Sequence, residues 1–161
     1  MATAVYPGSF DPVTLGHLDL VQRACRIFDH VIVAVSNNHS KKHTFSAAER
    51  IEMLENAVRD IPQAEVDTFS GLLVDYLKTK KATTVIRGLR AVSDLEYEFQ
   101  LASMNRRLYP RTETIFLMPD EQYTYLSSSM VKEVGRMGSA LDGMVSPFVA
   151  KKLRLKFKIR R

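Results

Sequence analysis

The residues best suited to chemistry lie near the start of the chain, between Ser9 and His17. Residues 2–6 before them have the pattern of a short buried strand, and apolar residues recur at helical spacing after Gly16. A strand-to-helix turn presents unpaired N–H groups and the positive end of a helix dipole, which suit a phosphate. Gly16 has no side chain to keep a ligand away from the backbone. We therefore expect His17 to lie in the first helical turn and to face a bound anion.

Three further polar clusters follow predicted strands. They are Lys41 and Lys42 after the second strand, Arg87–Arg90 after the fourth, and Ser127–Ser129 beyond the fifth. In open α/β sheets, ligands bind outside the carboxyl ends of the strands. These segments, which are distant in sequence, are therefore expected to converge with His17 on one cleft.

Together these segments supply cationic side chains, hydroxyls and the N-termini of helices. They contain no arrangement of residues typical of covalent catalysis. The sequence shows no Ser-His-Asp pattern, and its four histidines lack the spacing of zinc ligands. Such a site suits phosphate transfer, in which positioning and charge stabilisation do most of the catalysis. In such a site a substrate phosphate could attack the α-phosphorus of ATP directly and release pyrophosphate, while His17 and nearby donors stabilise the growing negative charge.

The elements that must position these groups alternate between strands and helices along the chain. Val31–Val35 is a continuous β-branched run, typical of a strand covered on both faces. Ser46–Glu49 and Ser93–Glu96 have the pattern of capping boxes, and Ser146-Pro147 has that of an N-cap followed by proline. The alternation predicts an α/β fold built on a doubly wound, five-stranded parallel sheet.

Composition is that of an ordinary globular chain, with 161 residues, 25% charged and 45% hydrophobic. We predict one domain over residues 1–150, followed by a tail over residues 151–161. The net charge of +5 belongs to that tail, which holds seven of the 23 basic residues and no acidic residue. Without the tail, 16 basic residues stand against 18 acidic ones, a net charge of −2, so nucleic acid is not an expected partner.

Several features of the sequence indicate the cellular compartment in which the protein is found. No apolar run approaches the roughly 20 residues of a membrane-spanning helix, and the N-terminus lacks the pattern of a signal peptide. Cys25, the single cysteine, cannot form an internal disulfide, and its place on the apolar face of the first helix predicts a small core residue. We therefore expect a cytoplasmic protein with no membrane partner.

The tail alternates basic and apolar residues with a period of two. In a strand, Leu153, Leu155, Phe157 and Ile159 would share one face, whereas a helix would scatter them. The pattern predicts an extended segment that packs on the body of the protein or on a neighbouring subunit.

Several motifs together give a specific resemblance to a known family. Ser9-Phe10-Asp11-Pro12-x-Thr14-x-Gly16-His17 resembles the His-x-Gly-His motif of the nucleotidyltransferase superfamily, with Thr14 in place of the first histidine. Five further segments resemble, in order and spacing, the remaining motifs of the bacterial phosphopantetheine adenylyltransferases: Lys41, Arg87–Ala91, Glu96–Glu98, Met104–Arg106 and Leu126–Glu133. The resemblance extends from Tyr6 to about Phe148, and Ser9 stands where that family often has threonine.

This resemblance implies a Rossmann-like nucleotidyltransferase fold and an enzyme that transfers AMP from ATP to 4′-phosphopantetheine, giving dephospho-coenzyme A and pyrophosphate in coenzyme A biosynthesis. The implied catalytic residues are His17, which stabilises the transition state, Lys41 and Arg90. The implied ATP-binding residues are Ser9, Phe10, His17, Gly88, Leu89, Arg90, Glu98, Tyr123, Thr124, Tyr125, Leu126, Ser127, Ser128 and Ser129. The implied acceptor-binding residues are Ser9, Lys41, Leu73 and Arg87.

The resemblance also has implications for ligands and assembly. It implies Mg2+ carried by the nucleotide phosphates, with no metal ligand identified among the protein side chains. It further implies a homohexamer, with coenzyme A as a candidate feedback ligand.

Three alternatives stay open at this point. A nicotinate or nicotinamide mononucleotide adenylyltransferase shares the first motif, although such enzymes are usually longer and lack Arg-Gly-Leu-Arg. A glycerol-phosphate or choline-phosphate cytidylyltransferase would carry Arg-Thr-Glu-Gly-Ile-Ser-Thr where this chain has Tyr123–Ser129. A non-catalytic nucleotide- or RNA-binding module using the basic tail belongs to a different class, and the joint presence of His17, Lys41 and Arg90 argues against it.

Overall fold

The computed structural model describes residues 2–38 and 42–159, apart from the side chain of Ser93. Strands and helices alternate along this part of the chain. The strands are β1 (Thr3–Gly8), β2 (His30–Ser36), β3 (Ala64–Phe69), β4 (Thr84–Gly88) and β5 (Glu113–Leu117). The helices are α1 (Leu15–Ala24), α2 (Ala47–Val58), α3 (Leu73–Lys80), α4 (Val92–Leu108), α5 (Ser128–Arg136) and α6 (Pro147–Lys156), with a 3-10 turn at Glu121–Tyr123.

The strands form one parallel sheet in the order β3-β2-β1-β4-β5. The central strand β1 pairs with β2 from Thr3, opposite His30, to Gly8, opposite Val35, and its other edge pairs with β4. Along the chain, β2 and β3 add to one side of β1, and β4 and β5 then add to the other side. This confirms the predicted doubly wound, five-stranded α/β fold. The strand order reverses between β1 and β4, which is where such sheets bind ligands.

Helices cover both faces of the sheet, as strands that are apolar on both faces require. Along β2, Val31, Val33 and Val35 belong to a buried cluster that includes residues of α1, α2, α5 and α6. Ile32 and Ala34 belong to a second buried cluster, which includes residues of α3. The central strands are therefore fixed from both sides, and so are the loops that leave their carboxyl ends.

Most of the predicted helix starts are confirmed. Ser46 caps α2 in a capping box, and Ser146 caps α6 just before a proline. The capping box predicted at Ser93–Glu96 is wrong, because α4 begins at Val92 after a residue that makes no side-chain cap. The helix starts directly from the loop after β4, so the residues of that pattern lie inside its first turns.

The C-terminal segment is helical, so the prediction of an extended tail is wrong. α6 continues to Lys156, and the predicted boundary at residue 150 falls within this helix. Leu153 is fully buried, whereas Leu155 is 68% exposed, so the apolar residues of the segment do not share one face. Val149 and Leu153, four residues apart, give α6 a buried face, and this burial outweighs the two-residue alternation.

Two smaller expectations concern Cys25 and the membrane. Cys25 ends α1, is partly buried and packs against the first core cluster, and its burial raises the pKa of the thiol. Within residues 2–38 and 42–159, no helix combines the length and apolarity needed to cross a bilayer.

Candidate active site

A cleft of about 450 Å³ opens at the carboxyl ends of β1 and β4. It lies where the strand order reverses. Its walls come from the β1–α1 turn, the end of β4, the first half of α4 and the start of α5. The lining residues are Tyr6, Pro7, Gly8, Ser9, Phe10, Thr14, Gly16, His17, Leu20, Arg87, Gly88, Arg90, Asp94, Tyr97, Glu98, Pro119, Tyr123, Leu126, Ser127, Ser128 and Ser129.

Two residues give the β1–α1 turn its path. Phe10 adopts a φ of 47°, in the left-handed region that aromatic residues rarely occupy. A Cβ at Gly8 would lie 2.9 Å from the Phe10 ring, so this close approach requires glycine. The same ring packs edge-on against Tyr6 and His17, with centroid distances of 5.4 and 5.1 Å. The turn is therefore a packed unit that fixes the position of the histidine ring.

His17 is held in one tautomer by the start of α1. The Thr14 backbone N–H donates to His17 Nδ1 at 3.0 Å, while Thr14 Oγ1 accepts the His17 backbone N–H at 3.3 Å. Because Nδ1 accepts, the proton of the neutral ring lies on Nε2. Burial lowers the pKa of His17 to about 4, with further contributions from the charges of Arg90 and Arg87. At pH 7 the ring is neutral and offers the cleft an oriented N–H donor.

Arg87 lines the cleft but is already engaged by protein groups. Its Nε and Nη2 donate to the two carboxylate oxygens of Glu98, both at 2.6 Å, and Nη1 donates to the Pro7 carbonyl at 3.1 Å. Burial alone would lower the pKa of Arg87, but the Glu98 carboxylate raises it overall, so the guanidinium stays charged. A phosphate that binds Arg87 must share this guanidinium with Glu98 or displace the carboxylate.

Arg90 connects the loop after β4 to the segment before α5. Its Nη1 donates to the Leu126 carbonyl at 3.1 Å, and its Nε lies 3.5 Å from the Asp94 carboxylate. Nearby, a Cβ at Gly88 would lie 2.5 Å from Leu20 Cδ1, so the end of β4 approaches α1 as closely as glycine permits. This packing brings the end of β4 to the helix that carries the histidine.

The start of α5 is built from the three consecutive serines. Ser127 caps the helix, as predicted, because its Oγ accepts the backbone N–H of Met130 at 3.1 Å. Ser128 Oγ donates to the Pro12 carbonyl at 2.8 Å and so joins α5 to the β1–α1 turn. Both α1 and α5 therefore begin at the cleft, and helix N-termini attract anions.

Comparisons with known proteins agree with this geometry. The profile of the family described as cytidylyltransferase-like matches residues 5–134. The phosphopantetheine adenylyltransferase of Dictyoglomus turgidum is 56% identical, covering 99% of this chain and 100% of its own length. That of Geobacter sulfurreducens is 55% identical, covering 96% of this chain and 94% of its own length. This chain belongs to the phosphopantetheine adenylyltransferase family.

A solved structure supports the fold assignment. The Plasmodium falciparum nicotinic acid mononucleotide adenylyltransferase complexed with NaAD matches with a TM-score of 0.69, covering 98% of this chain and 96% of that chain. The identity is 15%, so this likeness shows the fold alone. It confirms the predicted nucleotidyltransferase fold without bearing on the acceptor.

Most of the residues implied by the family motifs line the cleft. They are Ser9, Phe10, His17, Arg87, Gly88, Arg90, Glu98, Tyr123, Leu126, Ser127, Ser128 and Ser129. Leu73, Leu89, Thr124 and Tyr125 are not among the lining residues; Tyr125 is 85% exposed, and Leu73 packs against the second core cluster. Lys41 lies outside the described residues. The binding and catalytic roles of all these residues stay predictions.

Sequence reasoning missed some of the cleft and its strongest ion pair. Leu20, Asp94 and Pro119 line the cleft without having been expected there. The four-residue spacing of Arg90 and Asp94 could have suggested their contact. No local spacing indicates the pairing of Arg87 with Glu98, because it joins a strand to a helix eleven residues further on.

The described residues of the cleft include no cluster of side chains suited to hold a metal ion. Within the part of the chain that the structure describes, no group of three or more His, Cys, Asp or Glu side chains could hold one. Both carboxylates that line the cleft, Asp94 and Glu98, face arginines. The donor set therefore suits an anionic substrate.

Proposed function

We propose that this chain transfers an adenylyl group from ATP to 4′-phosphopantetheine, giving dephospho-coenzyme A and pyrophosphate in coenzyme A biosynthesis. Relatives of that name match nearly the whole chain at 56% and 55% identity. The structural observation that carries the proposal is the neutral, oriented N–H donor of His17 at the start of α1, close enough to Arg90 and Arg87 for both charges to lower its pKa.

The proposed reaction is a single displacement at phosphorus. A phosphate oxygen of the acceptor attacks the α-phosphorus of ATP in line, and the bond to the oxygen that bridges to the β-phosphate breaks. Pyrophosphate leaves with both electrons of that bond, and the enzyme forms no covalent intermediate. His17 Nε2–H donates to the phosphoryl oxygens on which charge develops, and the N-termini of α1 and α5 stabilise the same charge.

We infer that ATP is held by the residues that the family motifs assign to it. These are Ser9, Phe10, His17, Gly88, Leu89, Arg90, Glu98, Tyr123, Thr124, Tyr125, Leu126, Ser127, Ser128 and Ser129. The placement of most of them around one cleft supports this assignment. Arg90 is also the cation whose charge, among those near the ring, lowers the pKa of His17 most. We assign it with His17 to the reacting phosphates.

For the acceptor, we infer that Ser9, Lys41, Leu73 and Arg87 bind phosphopantetheine, with Lys41 also acting in catalysis. Cations form strong hydrogen bonds to an incoming phosphate, and Arg87 lines the cleft. Because Glu98 occupies two of its donor nitrogens, Arg87 would take the phosphate through its remaining N–H groups or in exchange for that carboxylate.

Mg2+ enters this proposal as part of the nucleotide substrate. The cleft carboxylates face arginines, so MgATP with the metal on its phosphates fits the donor set better than a resident ion. We also propose a cytoplasmic location and feedback by coenzyme A, which shares the pantetheine arm of the acceptor.

A homohexamer is the assembly we propose, and the exposed face of α4 supports self-association. None of the described apolar side chains of this 17-residue helix is buried within the chain. The exposed ones include Val92, Tyr97, Phe99, Met104 and Leu108. A helix of that length normally buries an apolar stripe, so a second copy is the natural cover for this face.

The proposal is tested by measuring pyrophosphate release from MgATP with a panel of phosphorylated acceptors. We expect phosphopantetheine to be used fastest, and mass spectrometry to identify dephospho-coenzyme A as the product. Faster adenylylation of nicotinamide or nicotinate mononucleotide would reject the acceptor assignment in favour of the second candidate. Retention on heparin without turnover of any acceptor would favour the non-catalytic nucleotide- or RNA-binding module.

A further inference from the structure

A buried carboxylate outside the cleft, that of Asp11, joins the β1–α1 turn to α5 and to the segment before α2. Asp11 is only 5% exposed and is not among the residues that line the cleft. Its Oδ1 accepts the backbone N–H of Phe45 at 2.9 Å, and its Oδ2 accepts that of Thr44 at 2.8 Å and the Nζ of Lys132 at 3.2 Å. These partners belong to the segment before α2 and to α5.

The charge on Asp11 is retained in spite of its burial. Burial would raise the pKa of this carboxyl, but the two backbone N–H groups and Lys132 outweigh that effect and lower it. An ionised carboxylate that is removed from water is costly unless it is paired and hydrogen-bonded. Asp11 therefore stays ionised at neutral pH, and its bonds to both neighbouring segments keep the strength of charge-assisted bonds.

The position of Asp11 makes these bonds relevant to the reaction. Asp11 directly follows Phe10, whose ring packs against His17, and it precedes Thr14, whose N–H holds Nδ1 of that histidine. On the other side, Lys132 lies one turn along α5 from Ser128, which lines the cleft and bonds to the Pro12 carbonyl. The Asp11–Lys132 pair is thus a second link between the turn that carries the histidine and the helix that begins with the serines.

A separate contact keeps the start of the same turn in place. Arg50 on α2 is 1% exposed, and its Nη1 donates to the Ser9 carbonyl at 2.7 Å and to the Ser36 carbonyl at 3.0 Å. The turn is therefore also anchored at Ser9 by hydrogen bonds that do not involve the Asp11 side chain, although the Asp11 carboxylate attracts the Arg50 charge and partly offsets the lowering of the Arg50 pKa by burial. Loss of the Asp11 bonds should let the turn shift relative to α5 without releasing it from the sheet.

We propose that Asp11, through its bonds to Lys132, Thr44 and Phe45, is a positioning residue that sets the distance between His17 and the serine-capped start of α5. This inference rests on the proposed adenylyl transfer. Both elements would stabilise charge on the same phosphoryl group, so their separation has to match the transition state. A misplacement of about 1 Å can reduce a rate about 100-fold even when the changed residue touches no substrate.

The test compares Asp11→Asn with Asp67→Asn. Asp67 serves as the control because, like Asp11, it is a carboxylate that accepts a backbone N–H, from Thr68 at 2.8 Å, and pairs with a lysine, Lys80, at 2.6 Å. It is more exposed than Asp11 and also accepts the Tyr76 hydroxyl at 2.7 Å. It lies on β3 and does not line the cleft. The readouts are kcat, KM for ATP, KM for the acceptor, and the midpoint of thermal unfolding.

Both substitutions are expected to lower the unfolding midpoint. Only Asp11→Asn is expected to lower kcat, by about 10- to 100-fold, with KM for ATP changed by less than about threefold, as for a loss of transition-state geometry rather than of binding. A kcat within about twofold of that of Asp67→Asn would overturn the inference. No turnover by the wild-type protein would instead reject the proposed function.

Substitutions of Lys132 keep the test decisive if Asp11→Asn does not fold. Lys132→Met removes the pair but leaves both backbone bonds to Asp11, and we expect kcat to fall about tenfold. Lys132→Arg keeps a cation beside Asp11 and should restore most of that loss. Wild-type turnover by Lys132→Met, or equal losses in both variants, would contradict a positioning role for the pair.

Discussion

The β1–α1 turn and the junction between β4 and α4 both supply polar groups to the cleft, but they prepare these groups differently. In the turn, the Thr14 N–H fixes His17 Nδ1, and Nε2 has no hydrogen-bond partner within residues 2–38 and 42–159. In the junction, Arg87 is paired with Glu98, and Arg90 lies between Asp94 and the Leu126 carbonyl. One region presents an oriented donor, whereas the other presents cations that protein carboxylates already neutralise.

This difference indicates different roles in the proposed reaction. A donor oriented before the substrate binds needs no reorganisation when charge develops, which is the condition for stabilising a transition state. Paired arginines must exchange or share their partners when an anion arrives, so they are better suited to binding and selecting phosphates. Four predictions test the contrast, in order of expected effect.

The largest effect is expected for His17→Ala. Loss of one oriented transition-state donor should lower kcat by about 100- to 1000-fold with little change in ATP binding. His30→Ala is the matched control, because His30 begins β2 at the opposite end of the sheet and pairs with Glu65 at 3.0 Å. Steady-state kinetics give kcat for both variants. Near wild-type turnover by His17→Ala would show that the histidine has no catalytic role.

The second effect concerns the Arg87–Glu98 pair. Arg87→Met leaves the buried Glu98 carboxylate without its cation, so the free energy of unfolding should fall by about 3 kcal/mol. The double variant Arg87→Met/Glu98→Gln removes that unpaired charge and should recover most of the loss. Urea unfolding measures the free energy of unfolding of the single and the double variant. An equal loss in the single and double variants would mean that the pair does not hold the junction together.

Arg87 also allows a kinetic comparison between the two substrates. We expect Arg87→Met to raise KM for phosphopantetheine more than KM for ATP, because we assign this cation to the acceptor. The double variant controls for stability in the KM for phosphopantetheine alone, because it also replaces Glu98, which we assign to ATP. A larger change in KM for ATP would instead assign Arg87 to the binding of ATP.

The third effect is on the ionisation of His17. NMR titration should give a pKa of about 4, and Arg90→Gln should raise it because a neighbouring cation is removed. Since the unfolded histidine has a pKa near 6.5, the unfolded state binds more protons between about pH 6.5 and 4. The contribution of His17 to stability is therefore complete above pH 6.5 and declines as the pH falls through that window.

A distant arginine serves as the control for this titration. Arg136 packs over the Phe157 ring at 5.0 Å and does not line the cleft. Arg136→Gln should leave the pKa of His17 unchanged. A wild-type pKa at or above 6.5 would show that the ring is not held neutral by its surroundings.

The smallest effect is expected for Asp94→Asn. The Arg90–Asp94 pair is partly exposed and separated by 3.5 Å, so its loss should change stability by at most about 1 kcal/mol and KM for ATP by less than about fivefold. Asp75→Asn, which breaks the exposed pair with Lys78, is the control. A loss of turnover comparable to that of His17→Ala would make Asp94 part of the catalytic machinery and weaken the contrast between the two regions.

The parts of the structure that sequence could predict are those governed by local patterns. The β-branched run of β2 and the serine caps of α2, α5 and α6 rest on neighbours within four residues. The convergence of His17, Arg87, Arg90 and the three serines followed from the rule for strand ends.

Long-range contacts decided what sequence could not predict. The partner of Glu98 depends on how α4 lies against β4, and the helical tail depends on the space that Val149 and Leu153 fill in the core. The role of Asp11 likewise arises only when α5 is folded against the turn, since Lys132 lies 121 residues further along the chain.

In the proposed reaction, the α-phosphorus of ATP undergoes a single in-line displacement, and no covalent intermediate forms on the enzyme. The most direct test uses one diastereomer of ATP that carries sulfur on the α-phosphorus, with phosphopantetheine as acceptor, and determines the configuration of the thio-substituted dephospho-coenzyme A by phosphorus NMR. A single displacement predicts inversion at phosphorus. Retention would require two displacements through a protein nucleophile and would rule out the direct transfer.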